Sequence, residues 1–181
     1  MMSTPPRQQP YLHLVTGGAR SGKSRYAQQL ARDWSETPVY VATAKVWDDE
    51  FAQRVSRHQD DRGPEWTVFE ELRQVSQLPI SERVVVIDCV TLWLTNFFSD
   101  TKSDVNESLR LFRAEIDALL LLPGQFIIVT NELGMGLHAE TAIGRAFTDL
   151  QGWANQYVAS RADAVTLMVS GLPMTVKAPL R

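Results

Sequence analysis

The chain has 181 residues, 44% of them hydrophobic, which is enough for one sizeable buried core and predicts a single domain. Its formal net charge of −3 excludes a sequence-wide basic field, so we expect neither nucleic acid nor a membrane surface as a partner. The single cysteine, Cys89, cannot form an intrachain disulfide and fits a reducing cytoplasm. The apolar runs are far too short to span a bilayer, and we expect a cytoplasmic protein.

Residues 1–10 are polar and rich in proline, which predicts a flexible tail before a domain at 11–181. Beyond the tail, short β-rich segments alternate with longer helical ones. Strands are predicted at 11–16, 39–43, 66–69, 83–87, 126–130, 164–169 and 175–177. Helices are predicted at 23–34, 48–57, 91–98, 104–122 and 141–160. This alternation indicates an α/β fold of the P-loop NTPase type, with a mainly parallel sheet and helices on both faces.

The segment that follows the first predicted strand reads GGARSGKS and satisfies the phosphate-binding pattern G-x-x-x-x-G-K-[ST] in full. It also opens a predicted helix, which is the context that the pattern requires. Glycines let backbone N–H groups converge on phosphate oxygens, and the helix N-terminus adds partial positive charge. We therefore predict a nucleoside triphosphate site at Gly17, Gly18, Ala19, Arg20, Ser21, Gly22, Lys23 and Ser24. Lys23 would contact the β- and γ-phosphates, and the Ser24 hydroxyl would bind Mg²⁺.

Asp88 ends the apolar strand RVVVI at 83–87, at the edge of the sheet where ligands bind. An acid in this position can hold Mg²⁺ opposite the phosphate-binding loop. It can also cap the helix predicted to follow it, which is a common use of aspartate, but the position favours the metal role. Cys89 is expected to be a buried small residue rather than a reactive thiol.

A second informative stretch is RVSRHQDDR, residues 54–62, in which Arg54, His58 and Arg62 are spaced four apart. In a helix they would share one face, and flanking guanidinium groups could bind a phosphate that the imidazole attacks. Taken alone, the pattern favours a solvated surface network over catalysis. His13 is expected to pack within the first strand, and the pattern leaves the role of His138 open.

Six segments together resemble one family, the bifunctional adenosylcobinamide kinase/adenosylcobinamide-phosphate guanylyltransferases of cobalamin synthesis. They occur in order along nearly the whole chain after the tail. The matching segments are LVTGGARSGKSRYAQ (14–28), VYVATA (39–44), DDEFAQRVSRHQDDR (48–62), DCVTLWLTN (88–96), VTNELGMG (129–136) and SGLPMTVK (170–177). The phosphate-binding loop alone is generic, but its combination with the others is specific. Three residues outside the nucleotide-binding segments depart from the family pattern: Ala139, Thr148 and Trp153.

The resemblance implies two reactions: ATP or GTP phosphorylates adenosylcobinamide, and GMP from GTP is then transferred onto that phosphate. It implies that the second reaction passes through a guanylylated histidine, which corresponds to His58, and that the protein is a homotrimer. It further implies that the nucleotide is lined by Thr43, Ala44, Lys45, Gln59, Asp60, Asp61, Arg62, Glu70 and Asp88.

Two alternatives remain on the residues alone. One is a simple P-loop kinase of small molecules in which His58 is structural. The other is a nucleotide-controlled switch, although none of the four lysines lies in the N-K-x-D pattern that such switches use to recognise guanine.

Overall fold

The computed structural model describes residues 9–44 and 63–178. Its strands are β1 Tyr11–Gly17, β2 Val39–Ala42, β3 Thr67–Glu70, β4 Val84–Asp88, β5 Gln125–Val129, β6 Ala164–Val169 and β7 Leu172–Lys177. Its α-helices are α1 Lys23–Trp34, α2 Val90–Asp100, α3 Val105–Leu119 and α4 Ala142–Arg161, with short 3₁₀ turns at Val75–Gln77 and Leu133–Met135. The helix predicted at 48–57, and nearly all of the predicted tail, lie outside the described residues.

The described strands form one sheet in the order β3-β2-β4-β5-β1-β6-β7. Every neighbouring pair is parallel except β6 and β7, which are antiparallel. Successive residues of the central strands enter two separate hydrophobic clusters, one packed against α2, α3 and α4 and the other against α1. Because side chains alternate across a strand, these clusters lie on opposite faces of the sheet. The predicted fold class, a mainly parallel sheet covered by helices on both faces, is confirmed.

The strand order decides which loops can form a common site. β5 lies between β1, which precedes the phosphate-binding loop, and β4, which ends at Asp88. The parallel registers align Val15 with Val129 and Asp88 with Val129. The carboxyl ends of β1, β5 and β4 therefore lie side by side, at the edge where parallel sheets bind ligands.

Predicted boundaries shift by up to three residues in the structure. β7, whose prediction included 175–177, begins at Leu172, because Ser170 and Gly171 both have positive φ angles, 51° and 84°, and close a two-residue hairpin with β6. The helix expected to reach residue 122 ends at Leu119, and the chain continues to residue 122 in tighter turns closed by i→i+3 backbone hydrogen bonds. Its predicted start is confirmed, since Asp104 accepts the backbone N–H of Glu107 at 2.9 Å.

His13 is packed inside the sheet, as predicted from its position in the first strand. It is 7% exposed, and its Nε2 lies 2.8 Å from the hydroxyl of Thr166 on β6. The rings of Tyr26 and Trp34 lie beside it, and its Nδ1 has no hydrogen-bond partner among the described residues. Burial lowers the pKa of His13 below its ordinary value because the charged form loses hydration.

This shift predicts that His13 weakens the fold in acid. As the pH falls below about 6.5, the unfolded chain takes up a proton on His13 before the folded chain does, so the free energy of unfolding decreases. The loss continues until the pH reaches the lowered pKa of the folded state. We expect His13→Gln to show a smaller decrease in Tm between pH 7.5 and 5.5 than the parent protein.

The matched control is His138→Gln, since His138 is exposed in the loop after β5. It should retain the parent's dependence of Tm on pH. An unchanged dependence in His13→Gln would contradict the proposed role of His13 in acid sensitivity.

Candidate nucleotide-binding site

The predicted phosphate-binding loop leaves β1 through a turn that requires glycine. Gly17 has a φ of 147°, and a Cβ placed on it would lie 2.6 Å from the carbonyl oxygen of Met168 on β6. Gly22 has a φ of 95° and precedes the first residue of α1. Side chains at either position would strain the backbone, so the two glycines of the motif set the shape of the loop.

Neighbouring segments brace this loop on two sides. The backbone N–H of Gly171, in the β6–β7 hairpin, donates to the carbonyl oxygen of Ser21 at 3.0 Å. The backbone N–H of Glu132, after β5, donates to the carbonyl oxygen of Gly17 at 3.2 Å. The loop is thus held in place by the fold and does not need a ligand to bring its two ends together.

Lys23, at the first residue of α1, places a cation inside the loop. It is 7% exposed, and its ammonium donates to the carbonyl oxygen of Gly18 and lies 3.5 Å from the hydroxyl of Ser21. Both acceptors are neutral, and within the described residues no carboxylate forms a salt bridge with it. Burial lowers the pKa of Lys23, whereas the negative charges of Asp88 and Glu132 act in the opposite direction. A buried ammonium whose hydrogen-bond acceptors are neutral lacks a negative partner, and it can therefore pair with a bound anion.

The N-terminus of α1 adds to this positive site. The helix has twelve residues and no acidic side chain in its first turn, so nothing on the helix offsets its partial positive charge there. The Ser24 side chain is half-buried in the same turn. Lys23, the helix terminus and the loop backbone together are suited to bind phosphate groups.

Asp88 lies at the carboxyl end of β4, half-buried, and its Oδ2 accepts a hydrogen bond from the Tyr40 hydroxyl at 3.1 Å. It does not cap the next helix, because the N-cap residue of α2 is Cys89. The capping interpretation of Asp88 is therefore wrong, and its charge instead acts on Lys23. The metal role of Asp88 stays a prediction.

The oxygen donors available here suit Mg²⁺. Asp88 and Ser24 offer one carboxylate and one hydroxyl, and Mg²⁺ at phosphate sites is commonly bound by one or two protein oxygens together with the phosphates and water. Within the described part of the chain no group of three or more His, Cys, Asp or Glu side chains could hold a metal ion by itself. A metal held at this site would therefore depend on the phosphates of the nucleotide for further ligands.

Of the other predicted nucleotide contacts, three lie in the described residues at the same edge. Thr43 is fully buried, and its hydroxyl donates to the carbonyl oxygen of Cys89 at 2.8 Å. Ala44 is half-buried beside it, and Glu70 is exposed at the end of β3. The hydroxyl of Thr43 therefore ties β2 to the end of β4. Lys45, His58, Gln59, Asp60, Asp61 and Arg62 lie outside the described residues.

Sequence patterns did not single out a polar network behind the loop. The Thr16 hydroxyl donates to Oε1 of Glu132 at 2.5 Å, and Nδ2 of Asn155 donates to the same oxygen at 3.3 Å. Asn155 is oriented by Thr130 and by Gln151, whose side chains both donate to its Oδ1. The available signal was the polar triplet Thr130–Glu132, which directly follows the buried strand β5.

Cys89 is fully enclosed at this edge, as expected from the sequence. It is 7% exposed, and burial together with the charge of Asp88 raises the pKa of its thiol to about 12. The thiol therefore carries almost no thiolate at neutral pH.

These features define the class of the protein, a P-loop nucleotide-binding α/β protein. Residues 13–176 match the family described as cobinamide kinase / cobinamide phosphate guanyltransferase. The chain accordingly belongs to that family of bifunctional transferases, as its motifs predicted.

Two bacterial relatives agree with this assignment. The chain is 38% identical over 168 residues to the bifunctional adenosylcobalamin biosynthesis protein CobP of Pseudomonas aeruginosa, covering 91% of this chain and 96% of that protein. It is 36% identical over 179 residues to the bifunctional adenosylcobalamin biosynthesis protein CobU of Escherichia coli (strain K12), covering 91% and 98%. Among solved structures, a KaiC-like protein of Pyrococcus horikoshii OT3 is similar with a TM-score of 0.49 at 14% identity, covering 87% of this chain and 70% of that one.

The environment of Cys89 predicts slow alkylation of the folded protein. We expect iodoacetamide at pH 8 to modify native protein at least about 100-fold more slowly than protein unfolded in guanidinium chloride, because the native thiol is both buried and protonated. The chain has one cysteine, so mass spectrometry of the intact protein reports this site alone. Equal rates in the two states would show that Cys89 is accessible and reactive.

Proposed function

We propose that this chain phosphorylates adenosylcobinamide with ATP or GTP, and then transfers GMP from GTP onto the new phosphate. The products of the second step are adenosylcobinamide-GDP and pyrophosphate, within cobalamin biosynthesis. The observation that carries the proposal is the buried ammonium of Lys23, held by neutral acceptors inside a complete phosphate-binding loop. Membership of the cobinamide kinase / cobinamide phosphate guanyltransferase family supports the two substrates.

In the kinase step, the chain's contribution is to position the triphosphate and offset its charge. Lys23 and the loop N–H groups bind the β- and γ-phosphates, and the N-terminus of α1 favours their negative charge. Ser24 and Asp88 would hold Mg²⁺, which neutralises charge on the phosphate oxygens when it is bound. All of these groups sit on or directly beside the ends of β1 and β4.

The GMP transfer step needs a nucleophile that attacks the α-phosphate, whereas a phosphate-binding loop supplies only hydrogen-bond donors. We propose that a ring nitrogen of His58 attacks the α-phosphorus of GTP, so that the bond to pyrophosphate breaks and GMP is joined to the imidazole. A phosphate oxygen of adenosylcobinamide phosphate then attacks the same phosphorus, and the P–N bond breaks. Arg54, Arg57 and Arg62, which flank His58 in sequence, supply charge for the phosphates.

We also propose that the nucleotide contacts Thr43, Ala44, Lys45, Gln59, Asp60, Asp61, Arg62, Glu70 and Asp88. Three of them, Thr43, Glu70 and Asp88, end neighbouring parallel strands or follow them directly. Loops at adjacent carboxyl ends can meet around one ligand, which supports a shared site.

For the assembly, we propose a single domain at 11–181 that forms a homotrimer in the cytoplasm. β7 supports self-association because it is an edge strand whose Leu172, Met174 and Val176 side chains are 71%, 52% and 62% exposed. Trp153 on α4 is 45% exposed. Apolar residues in such numbers on an edge strand are typical of a surface that is covered by a partner. No helix in the described ranges is long and apolar enough to cross a membrane.

Lys23→Ala tests the phosphate site. The loop would lose the cation that contacts the β- and γ-phosphates, so kcat/KM for phosphorylation of adenosylcobinamide should decrease by about 100-fold or more, with weaker triphosphate binding. The measurements are initial rates and nucleotide titration on protein whose melting curve shows that it is folded. Lys102→Ala, which removes an exposed lysine far along the chain, is the control and should behave like the parent. Near-normal phosphorylation by folded Lys23→Ala would remove Lys23 from the site.

His58 is tested by covalent labelling. Protein incubated with Mg²⁺ and α-labelled GTP should retain label on His58, and γ-labelled GTP should leave none there. A bond between phosphorus and the imidazole nitrogen should be released by acid and survive alkali, unlike a phosphoester of Ser or Thr. His58→Ala should lose both the label and GMP transfer while keeping most of the kinase activity, because the phosphate-binding loop needs no histidine nucleophile.

The labelling experiment also separates the alternatives. A simple kinase would phosphorylate the corrinoid and take up no GMP. Label mapped to His138, or transfer that persists in His58→Ala, would assign the nucleophile elsewhere and leave the loop assignment intact.

A further inference from the structure

Glu132 is a tightly constrained carboxylate at the edge of the sheet. It follows β5, the strand between the phosphate-binding loop and Asp88. Its backbone N–H donates to the carbonyl oxygen of Gly17, and its Oε1 accepts from Thr16 and Asn155. Main chain and side chain are thus both fixed to the start of the loop.

The network that fixes Glu132 is buried. Thr130 is 0%, Gln151 is 1% and Asn155 is 7% exposed. Because Thr130 and Gln151 both donate to Oδ1 of Asn155, its amide must present Nδ2 to Oε1 of Glu132 and to the carbonyl oxygen of Asn131. Burying polar side chains is costly unless they are satisfied, and here the buried set orients one half-buried carboxylate.

The second oxygen of Glu132 remains available. Within residues 9–44 and 63–178 its Oε2 has no hydrogen-bond partner, although the carboxylate lies close enough to Lys23 to act on that ammonium electrostatically. Glu132 forms no salt bridge among those residues. Oε1 of Glu132 is therefore held, and Oε2 has no partner, on a carboxylate whose charge acts on Lys23.

The kinase chemistry has a role for such an oxygen. The alcohol that attacks the γ-phosphorus must lose a proton, which requires an acceptor within hydrogen-bond reach. The Lys23 ammonium can only donate hydrogen bonds. Asp88 already accepts a hydrogen bond from the Tyr40 hydroxyl, and its negative charge suits a metal ion. Among residues 9–44 and 63–178, Glu132 is the remaining carboxylate next to the loop whose acceptor capacity is unused.

We propose that Glu132 is the general base of the kinase step, an inference that rests on the proposed function. As the alcohol oxygen of the acceptor bonds to the γ-phosphorus, its proton passes to Oε2 of Glu132. The bond between the γ-phosphorus and its bridging oxygen breaks, and the nucleoside diphosphate leaves with the electron pair. The protonated carboxyl later returns the proton to water, which restores the carboxylate. Thr16 and Asn155 are positioning residues that hold Oε1.

Glu132→Gln tests this role with little change in shape, since an amide oxygen can still accept from Thr16 and Asn155. We expect kcat for phosphorylation of adenosylcobinamide by ATP or GTP to decrease by about 10²–10⁴-fold, the range of general-base catalysis. The Kd for nucleotide should change less than threefold. GMP transfer from GTP to chemically supplied adenosylcobinamide phosphate should be unaffected, because that acceptor has no alcohol proton to remove in the step.

Glu140→Gln is the matched control, since it neutralises an exposed carboxylate of the same loop and should keep the parent's kcat. Glu132→Asp, which retains a carboxylate on a shorter side chain, should recover part of the lost rate and serves if Glu132→Gln does not fold. Phosphorylation by Glu132→Gln within threefold of the parent would overturn the proposal. Equal loss of kinase activity and of nucleotide binding or GMP transfer would also overturn it, since that result indicates a structural role.

Failure of the proposed function would look different. In that case the parent protein itself would not phosphorylate adenosylcobinamide, whatever residue stood at 132. If the parent phosphorylates adenosylcobinamide normally and Glu132→Gln is also active, only the general-base role of Glu132 is rejected.

Discussion

The whole site depends on how the chain leaves β1. The turn at Gly17 brings the backbone so close to Met168 of β6 that a Cβ would collide with its carbonyl oxygen. That close approach aligns the loop with the N-terminus of α1 and encloses the ammonium of Lys23. Removing an ammonium from water without a charged partner is unfavourable, and the stability of the sheet offsets that cost. The site is therefore organised around an anion before any ligand binds.

The position of β5 explains why residues from three separate segments act on one cation. Because β5 lies between β1 and β4, the segment after it lies between the phosphate-binding loop and Asp88. Its backbone supports the loop at Gly17, and Glu132 adds a second carboxylate near Lys23. Had β1 and β4 been neighbours, Glu132 would be outside that environment. In the described part of the chain, strand order thus decides which carboxylates lie near the phosphate-binding loop.

The sequence predicts much of this arrangement, because the strongest signals are local. Apolar strands, the glycine pattern and the acid after RVVVI each depend on a few consecutive residues, and the structure has each element where it was expected. The prediction for β7 covers only its residues 175–177, because the local pattern does not reveal the Ser-Gly turn with two positive φ angles that precedes the strand. Glu132 was missed for a different reason. Its partners Thr16 and Asn155 are separated from it by 116 and 23 residues, and such pairing is fixed only by strand order and helix packing. The capping interpretation of Asp88 was wrong for the same reason. Its carboxylate accepts a hydrogen bond from Tyr40, 48 residues away along the chain, and a local pattern does not reveal such a partner.

The burial pattern also narrows the choice of nucleophile for nucleotidyl transfer. The chain has three histidines and one cysteine, which are its readiest nucleophiles toward phosphorus at neutral pH. Cys89 is enclosed, and the raised pKa of its thiol leaves almost no thiolate. His13 is enclosed as well, with Nε2 engaged by Thr166 on the adjacent strand. Of the described histidines only His138 is exposed, and it has no arginine within four residues along the chain, whereas His58 has three. Since an attacking imidazole must meet an α-phosphate that carries charge, the arginine-rich segment is the better environment for the reaction.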